Sequence, residues 1–149
     1  MSYLDLLKEI QYNPGDLRPK HSGISAVIIK NKKILMMDHV KFNFWTIPVG
    51  KVEEGQTVEE GLLMEMKEEL NIKPTKYKLI GRFRKKYIRN GKSVMVDAHI
   101  FHIEKWTGTL RNNEPKKHRS IKWMTIDEIK KIKKLSNSTE EMLKILKRI

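Results

Sequence analysis

Three glutamates stand close together in the middle of this 149-residue chain, within the stretch PVGKVEEGQTVEEGLLMEMKEELNI, Pro48 to Ile72. In a helix, with about 100° per residue, Glu65, Glu68 and Glu69 fall within one arc of about 100°. Carboxylates this close repel one another, so the spacing indicates a compensating cation. The chain has no cysteine, and oxygen ligands of this kind suit Mg²⁺, or alternatively Mn²⁺. A solvated helix with neighbouring lysines explains the pattern equally well.

Local signals define the helix that must carry these glutamates. Thr57 and Glu60 form a capping box, which predicts a helix that begins after Thr57 and runs to about Leu70. Asn71 suits the left-handed residue that ends a helix, and Pro74 prevents the helix from resuming. The helix also has an apolar stripe next to the acidic one, which predicts that it docks on a sheet; the stripe comprises Leu62, Leu63, Met66 and Leu70.

Residues 50 to 72 resemble the Nudix box, G-x5-E-x7-R-E-U-x-E-E-x-G-U, in which U is a bulky aliphatic residue. Gly50 takes the place of the opening glycine, and the three glutamates Glu65, Glu68 and Glu69 take those of the later Glu residues. Three positions depart from the pattern: Gln56 stands for the first Glu, Met64 for the Arg and Asn71 for the late Gly.

The resemblance extends from about Gly23 to Glu128 and implies an α/β fold, the Nudix-type α/β/α sandwich with a mixed β-sheet. We expect one such domain over residues 1–149. The resemblance also implies divalent-metal-dependent hydrolysis of a pyrophosphate bond in a nucleoside diphosphate-linked substrate, such as a nucleoside triphosphate or a related small nucleotide. Water would attack phosphorus, with Mg²⁺ bound by carboxylates.

Residue roles follow from the same resemblance. The expected metal site comprises Glu65, Glu68, Glu69 and Gly50. Glu65 is the first choice for the base that activates water, and Glu114, in the segment 110–115, is the alternative from a later loop. Lys51 is the nearest candidate cation for the phosphates, and Gly61 would leave room for a phosphate because it has no side chain.

The departures at positions 56 and 64 bear on activity. Met64 cannot make the charge-assisted hydrogen bonds of an arginine, and Gln56 keeps an acceptor oxygen that can position water but loses a charge. If these two positions face each other, losing both charges avoids stranding one in a buried place. A non-catalytic Nudix-fold protein that binds nucleotide or nucleic acid is therefore an alternative function.

The chain is strongly basic, with 31 Lys+Arg against 18 Asp+Glu and a formal net charge of +13. This balance favours polyphosphates or nucleic acid as partners. Cations and aromatics interleave in the segment 82–89, and an RNA 5′-end pyrophosphohydrolase is therefore a second alternative. A lysine-rich helix face in the tail and a hairpin with Phe83 and Tyr87 facing inward explain the same features without RNA. The aromatic residues Phe42, Phe44, Trp45 and Trp106 are candidates for stacking on a base, although aromatics beside strands more often complete a core.

No apolar run approaches the roughly 18 residues of a membrane span, and the first residues lack the pattern of a secretory signal. We expect a cytoplasmic protein, and the sequence leaves the oligomeric state open. Local patterns predict an N-terminal helix over 2–11 and strands at 23–29, 34–37 and 121–124. They also predict a hairpin of 77–89 with 93–103 around Asn90-Gly91, and helices after the capping boxes at Thr125 and Ser138.

Overall fold

The computed structural model describes residues 21–89 and 92–147. In chain order its elements are the strands β1 (His21–Lys30), β2 (Lys33–His39), β3 (Phe44–Thr46) and β4 (Val49–Lys51), the helix α1 (Val58–Leu70), the strands β5 (Lys73–Arg89), β6 (Lys92–Thr107) and β7 (His118–Met124), and the helices α2 (Ile126–Lys130) and α3 (Asn137–Lys147). The predicted helix over 2–11 and the Asn90-Gly91 turn lie outside the described residues.

The strands form one mixed sheet. Its central order is β3-β2-β1-β6-β5, with β4 paired to β1 and β7 paired to β2. β1 and β6 run parallel, whereas the other pairs are antiparallel. Parallel neighbours need a crossover. Between β1 and β6 the chain passes through β2 to β4, then through α1, which packs on the sheet, and then through β5.

Alternate residues of β1 enter two cores on opposite faces of the sheet. Ile24, Ala26 and Ile28 are buried in the core beneath α1, and Val27 is buried in the second core with Ile129 of α2 and Met142 of α3. This alternation follows from the two-residue period of a strand. The architecture is an α/β/α sandwich with a mixed sheet, as predicted. The prediction of one domain over residues 1–149 stays a prediction.

The boundaries of α1 agree with the sequence signals. Thr57 accepts a hydrogen bond from the Glu60 amide, the Glu60 carboxylate accepts one from the Thr57 amide, and Asn71 ends the helix with φ 60°. Gly61 has a different role from the one predicted. A Cβ atom at Gly61 would lie 3.0 Å from Cγ2 of Val52, so the glycine allows the helix to pack closely on the segment after β4 and leaves no room for a phosphate.

The start of α3 also differs from the prediction. The helix begins at Asn137, and the Ser136 hydroxyl accepts a hydrogen bond from the Thr139 amide. Ser136 is therefore the capping residue in place of Ser138. Thr139 is buried, and its hydroxyl accepts a hydrogen bond from the Ile47 amide at 3.0 Å. The contact with the residues after β3 fixes the helix start, and this contact is not visible in the local sequence.

Candidate active site

Two of the three predicted glutamates point into the protein. Glu65 is 8% exposed and Glu69 is 4% exposed, although both lie on a helix whose third acid, Glu68, is exposed. Glu65 and Glu69 are one helical turn apart, so they share a face. A carboxylate is rarely buried unless it is paired. The acidic stripe is therefore not the solvated face of an ordinary surface helix.

Gly50 accommodates the Glu65 side chain. A Cβ atom at Gly50 would lie 2.6 Å from Oε2 of Glu65 and would also overlap its Cγ and Cδ atoms. Gly50 pairs with Ile24 of β1, on the face of the sheet that α1 covers. The opening glycine is thus required because the Glu65 carboxylate lies directly against the backbone of β4.

The loop between β6 and β7 brings a third carboxylate to this place. The Asn113 amide donates to the Glu69 carbonyl at 2.9 Å, and the Asn113 side chain donates to the Glu68 carbonyl at 3.1 Å. The loop therefore satisfies carbonyl groups that the last turn of a helix leaves free. Glu114 follows directly, and its charge acts on both Glu65 and Glu69.

One cation compensates these acids in part. The Nζ atom of Lys117 lies 3.3 Å from Oε2 of Glu114. The other oxygen of Glu114 and Oε2 of Glu69 are buried without a hydrogen-bond donor. Lys117 was not identified from the sequence. Its three-residue spacing from Glu114 was the available signal, but many lysines of this chain have an acid at such a spacing.

The pKa values reflect this crowding. Burial, and then the charge of Glu68, raise the pKa of Glu65 to about 7. Burial, followed by the charges of Glu65 and Glu114, raises the pKa of Glu69 well above its usual range. Both groups are held in a place where carboxylate charge is poorly solvated, and such shifts are frequent at functional sites.

Comparison with known proteins gives the family. The sequence profile of the NUDIX domain matches residues 19–146, which is most of the chain. The chain belongs to the Nudix family. The match confirms the resemblance predicted from residues 50–72 and the assignment of the chain as a Nudix hydrolase.

Individual relatives are distant. The CTP pyrophosphohydrolase of Escherichia coli (strain K12) is 26% identical over 109 residues, which cover 70% of this chain and 76% of that protein. The solution structure of the E. coli ORF135 protein has a TM-score of 0.72 at 22% identity and covers 86% of this chain and 89% of its own. A MutT NUDIX hydrolase from Burkholderia pseudomallei has a TM-score of 0.70 at 23% identity, with coverages of 83% and 95%. The two structures share the fold of this chain.

The two main departures from the Nudix box contact each other. The Gln56 side-chain nitrogen lies 3.2 Å from the Met64 sulfur, and the Gln56 oxygen accepts a hydrogen bond from the Glu53 amide at 2.9 Å. Gln56 therefore links the residues of the loop before α1. Because Gln56 and Met64 are both uncharged, no charge is left there without a partner. The condition considered for positions 56 and 64, that they face each other, is therefore met.

Lys51 and Gly50 are neighbours in β4, and successive side chains of a strand point to opposite faces. Because the Gly50 position faces Glu65, Lys51 points to the other face of the sheet, where it is exposed. Its role as a phosphate contact stays a prediction.

Two further residues of the sheet, His118 and Phe83, are both buried. His118 is buried, with its ring centroid 5.4 Å from that of His39, and burial lowers its pKa. Phe83 is buried in the second core, so it is not available to stack on RNA bases. Phe42, in contrast, is 49% exposed.

No helix within 21–89 and 92–147 is long and apolar enough to span a membrane.

The carboxylate oxygens at this place are suitable ligands for a divalent cation. Glu69 and Glu114 each present a buried oxygen without a donor, and an ionised carboxylate only accepts hydrogen bonds. Hard cations such as Mg²⁺ and Mn²⁺ prefer these oxygen ligands. Among the described residues, no three acidic or histidine side chains already converge on one point, so Glu68, which is exposed, would have to turn toward Glu65 and Glu69.

The pKa of Glu65 predicts how the metal-free protein responds to pH. A carboxyl group whose pKa is raised from 4.5 to about 7 by folding stabilises the folded state fully below pH 4.5 and loses this contribution as pH rises through 7. The loss amounts to about 3 kcal/mol. Glu65→Gln should therefore gain stability relative to the wild type by up to about 3 kcal/mol between pH 4.5 and 8.

Urea unfolding in the presence of a chelator would measure this difference. Glu54→Gln is the control, since Glu54 is an exposed loop acid and its replacement should leave the pH profile unchanged. Parallel profiles for the wild type and Glu65→Gln would contradict the prediction.

Proposed function

We propose that this chain hydrolyses a pyrophosphate bond of a nucleoside triphosphate, or of a related small nucleotide, in a reaction that requires a divalent metal ion, with Mg²⁺ preferred. The observation that carries the proposal is the burial of Glu65 and Glu69 on α1 beside the loop that carries Glu114, where one oxygen of Glu69 and one of Glu114 are buried without a protein donor. The name of the E. coli relative, a CTP pyrophosphohydrolase, supports a nucleoside triphosphate as substrate.

The proposed ligands are the carboxylates of Glu65, Glu68 and Glu69 and the carbonyl of Gly50, with Glu114 nearby. When bound, the metal ion would neutralise charge on the phosphate oxygens and on the leaving group. The closeness of Gly50 to Glu65 supports placing a backbone carbonyl and a carboxylate in the same site. Lys51 is exposed on the face of the sheet opposite to Glu65, so its proposed contact with the substrate phosphates requires the phosphate chain to extend around the edge of β4.

Hydrolysis forms a bond between the water oxygen and phosphorus, breaks the bond from phosphorus to the bridging oxygen, and releases a proton. Glu65 is proposed to accept this proton on a carboxylate oxygen. In the metal-free protein, burial and the charge of Glu68 raise its pKa to about 7, and this affinity for a proton supports the role, because a general base works best with a pKa near the operating pH. Glu114, whose Oε1 atom has no donor, is the alternative base.

The non-catalytic alternative rested on Gln56 and Met64. These residues contact each other, and the carboxylates of Glu65 and Glu69 remain buried on the neighbouring stripe. The substitutions therefore remove one pair of charges without removing the proposed metal ligands. This arrangement supports a retained metal site, and turnover is the property that separates an enzyme from a nucleotide sensor.

The test is phosphate and pyrophosphate release from a panel of nucleoside triphosphates, nucleotide sugars, dinucleoside polyphosphates and 5′-triphosphorylated RNA. Each reaction is run with Mg²⁺, with Mn²⁺ and with a chelator. Metal-dependent release of pyrophosphate from a nucleoside triphosphate is the expected result. Turnover confined to the RNA would identify the alternative substrate, and the absence of turnover by folded, metal-binding protein would overturn the proposal.

A further inference from the structure

Lys117 pairs with one member of the carboxylate cluster, defined here as Glu65, Glu69 and Glu114, whose charges act on one another. Its Nζ atom is 3.3 Å from Glu114, although its side chain is 59% exposed. The backbone holds it in place on two sides. The Lys117 amide donates to the Glu114 carbonyl, and the Lys117 carbonyl accepts from the Val40 amide, each at 2.9 Å. The cation is thus attached to the sheet through the backbone at the end of β2.

The charges of the cluster and of Lys117 are coupled in both directions. Burial by itself would lower the pKa of Lys117, but the hydrogen bond and charge of Glu114, together with the charges of Glu69 and Glu65, raise it. In return, the Lys117 charge opposes the rise in pKa of Glu65 and Glu69. The ammonium group therefore provides part of the positive charge that buried carboxylates require.

We infer that Lys117 is a built-in counter-cation, which stabilises the carboxylate cluster without metal and whose positive charge opposes the binding of a divalent ion there. Two cations that compensate the same group of carboxylates repel each other. The lysine therefore weakens metal binding and sets the metal concentration at which the site fills. The inference takes the cluster to be the metal site of the proposed function.

The geometry distinguishes this role from that of an ordinary surface ion pair. Exposed pairs contribute little because water screens both partners. Here, the Glu114 side chain is 26% exposed and its second oxygen is buried without a donor, so the carboxylate of this pair is less screened than in an exposed pair. Lys116, the preceding residue, is also exposed and carries the same charge, but the described ion pairs include Lys117 and not Lys116.

The test is a Mn²⁺ titration without nucleotide, followed by the electron paramagnetic resonance signal of free Mn²⁺. Lys117→Gln is expected to bind Mn²⁺ about three- to tenfold more tightly than the wild type, the scale of one partly screened charge pair. Lys117→Arg keeps the charge, and Lys116→Gln removes an equal charge from the adjacent position. Both should remain within about twofold of the wild type.

A second variant shows whether the effect passes through Glu114. In a Glu114→Gln background, Lys117→Gln should change Mn²⁺ affinity less than it does in the wild type, since the pair is already broken. The melting temperature measured in chelator should fall in Lys117→Gln, because the cluster loses its counter-charge.

Unchanged or weaker Mn²⁺ binding by folded Lys117→Gln would overturn the inference, as would an equal gain in Lys116→Gln. A merely structural lysine would reduce metal affinity when replaced, not increase it. The titration contains no substrate, so its result is separate from the proposed function. A wild type that binds Mn²⁺ but hydrolyses no nucleotide would overturn that function and leave this inference standing.

Discussion

Replacing Glu69 with glutamine is expected to lower the metal-dependent kcat by about 10³-fold, the scale on which loss of one electrostatic stabiliser of the transition state is felt. Glutamine has nearly the same shape but no negative charge. Because Glu69 is 4% exposed and its pKa is raised by burial, the variant should also be more stable than the wild type at pH 8 in chelator. Activity and stability should change in opposite directions, which excludes unfolding as the cause.

The measurement is kcat at saturating Mg²⁺ with the best nucleotide of the panel, together with Mn²⁺ affinity. Glu59→Gln is the matched control. Glu59 lies on the same helix, is exposed, and accepts a hydrogen bond from the Tyr77 hydroxyl at 3.3 Å, which a glutamine oxygen can also accept. It should keep kcat within about twofold, as surface changes usually do. Activity of Glu69→Gln close to that of the wild type would remove Glu69 from the proposed site.

Gly50→Ala is expected to reduce kcat by about 10²-fold or more, because displacing a group by 1 Å from its working position has effects of this size. The new methyl group would overlap the Glu65 side chain, with Oε2 only 2.6 Å away. Glu65 must then rotate out of its place, and its pKa should fall toward the ordinary range of a glutamate. The pH dependence of kcat and the Mn²⁺ affinity would measure both consequences.

Gly23→Ala provides the comparison for Gly50→Ala. Gly23 lies on the neighbouring strand β1, paired with Lys51, and a Cβ atom there would lie 3.4 Å from the Gly50 carbonyl oxygen, an ordinary contact that leaves this proposed ligand in place. This variant should retain the activity of the wild type. Equal activity of Gly50→Ala and the wild type would show that Glu65 does not need its position beside β4.

The strongest sequence predictions rested on interactions between residues close in the chain. The capping box of Thr57 and Glu60 and the left-handed Asn71 defined α1 to the residue, because helix ends are determined by hydrogen bonds within a few residues. The start of α3 was misplaced by two residues, at Ser138 and not at Ser136, since Ser136 and Thr139 make contacts with β3 and the residue after it. These tertiary hydrogen bonds decide between Ser136 and Ser138, although a serine at either position suits a helix cap.

The Nudix box by itself determined the family, the helix that carries the glutamates and the glycine that faces it. The sequence did not separate buried from exposed acids, since an arc of about 100° contains Glu65, Glu68 and Glu69 alike. The docking angle of α1 on the sheet decides that Glu65 and Glu69 are buried while Glu68 is exposed.

Only the tertiary structure brought Glu114 and Lys117 to the site. Forty-five residues separate Glu69 from Glu114 in the numbering of the chain, and no local pattern reports a contact over that distance. The hydrogen bonds from Asn113 to the carbonyls of Glu68 and Glu69 hold the loop of Glu114 against the helix. They form because the last turn of a helix has free carbonyl groups that a neighbouring loop can satisfy. The sequence determined which residues can bind a cation, and the packing of the loop on the helix end decided which of them meet.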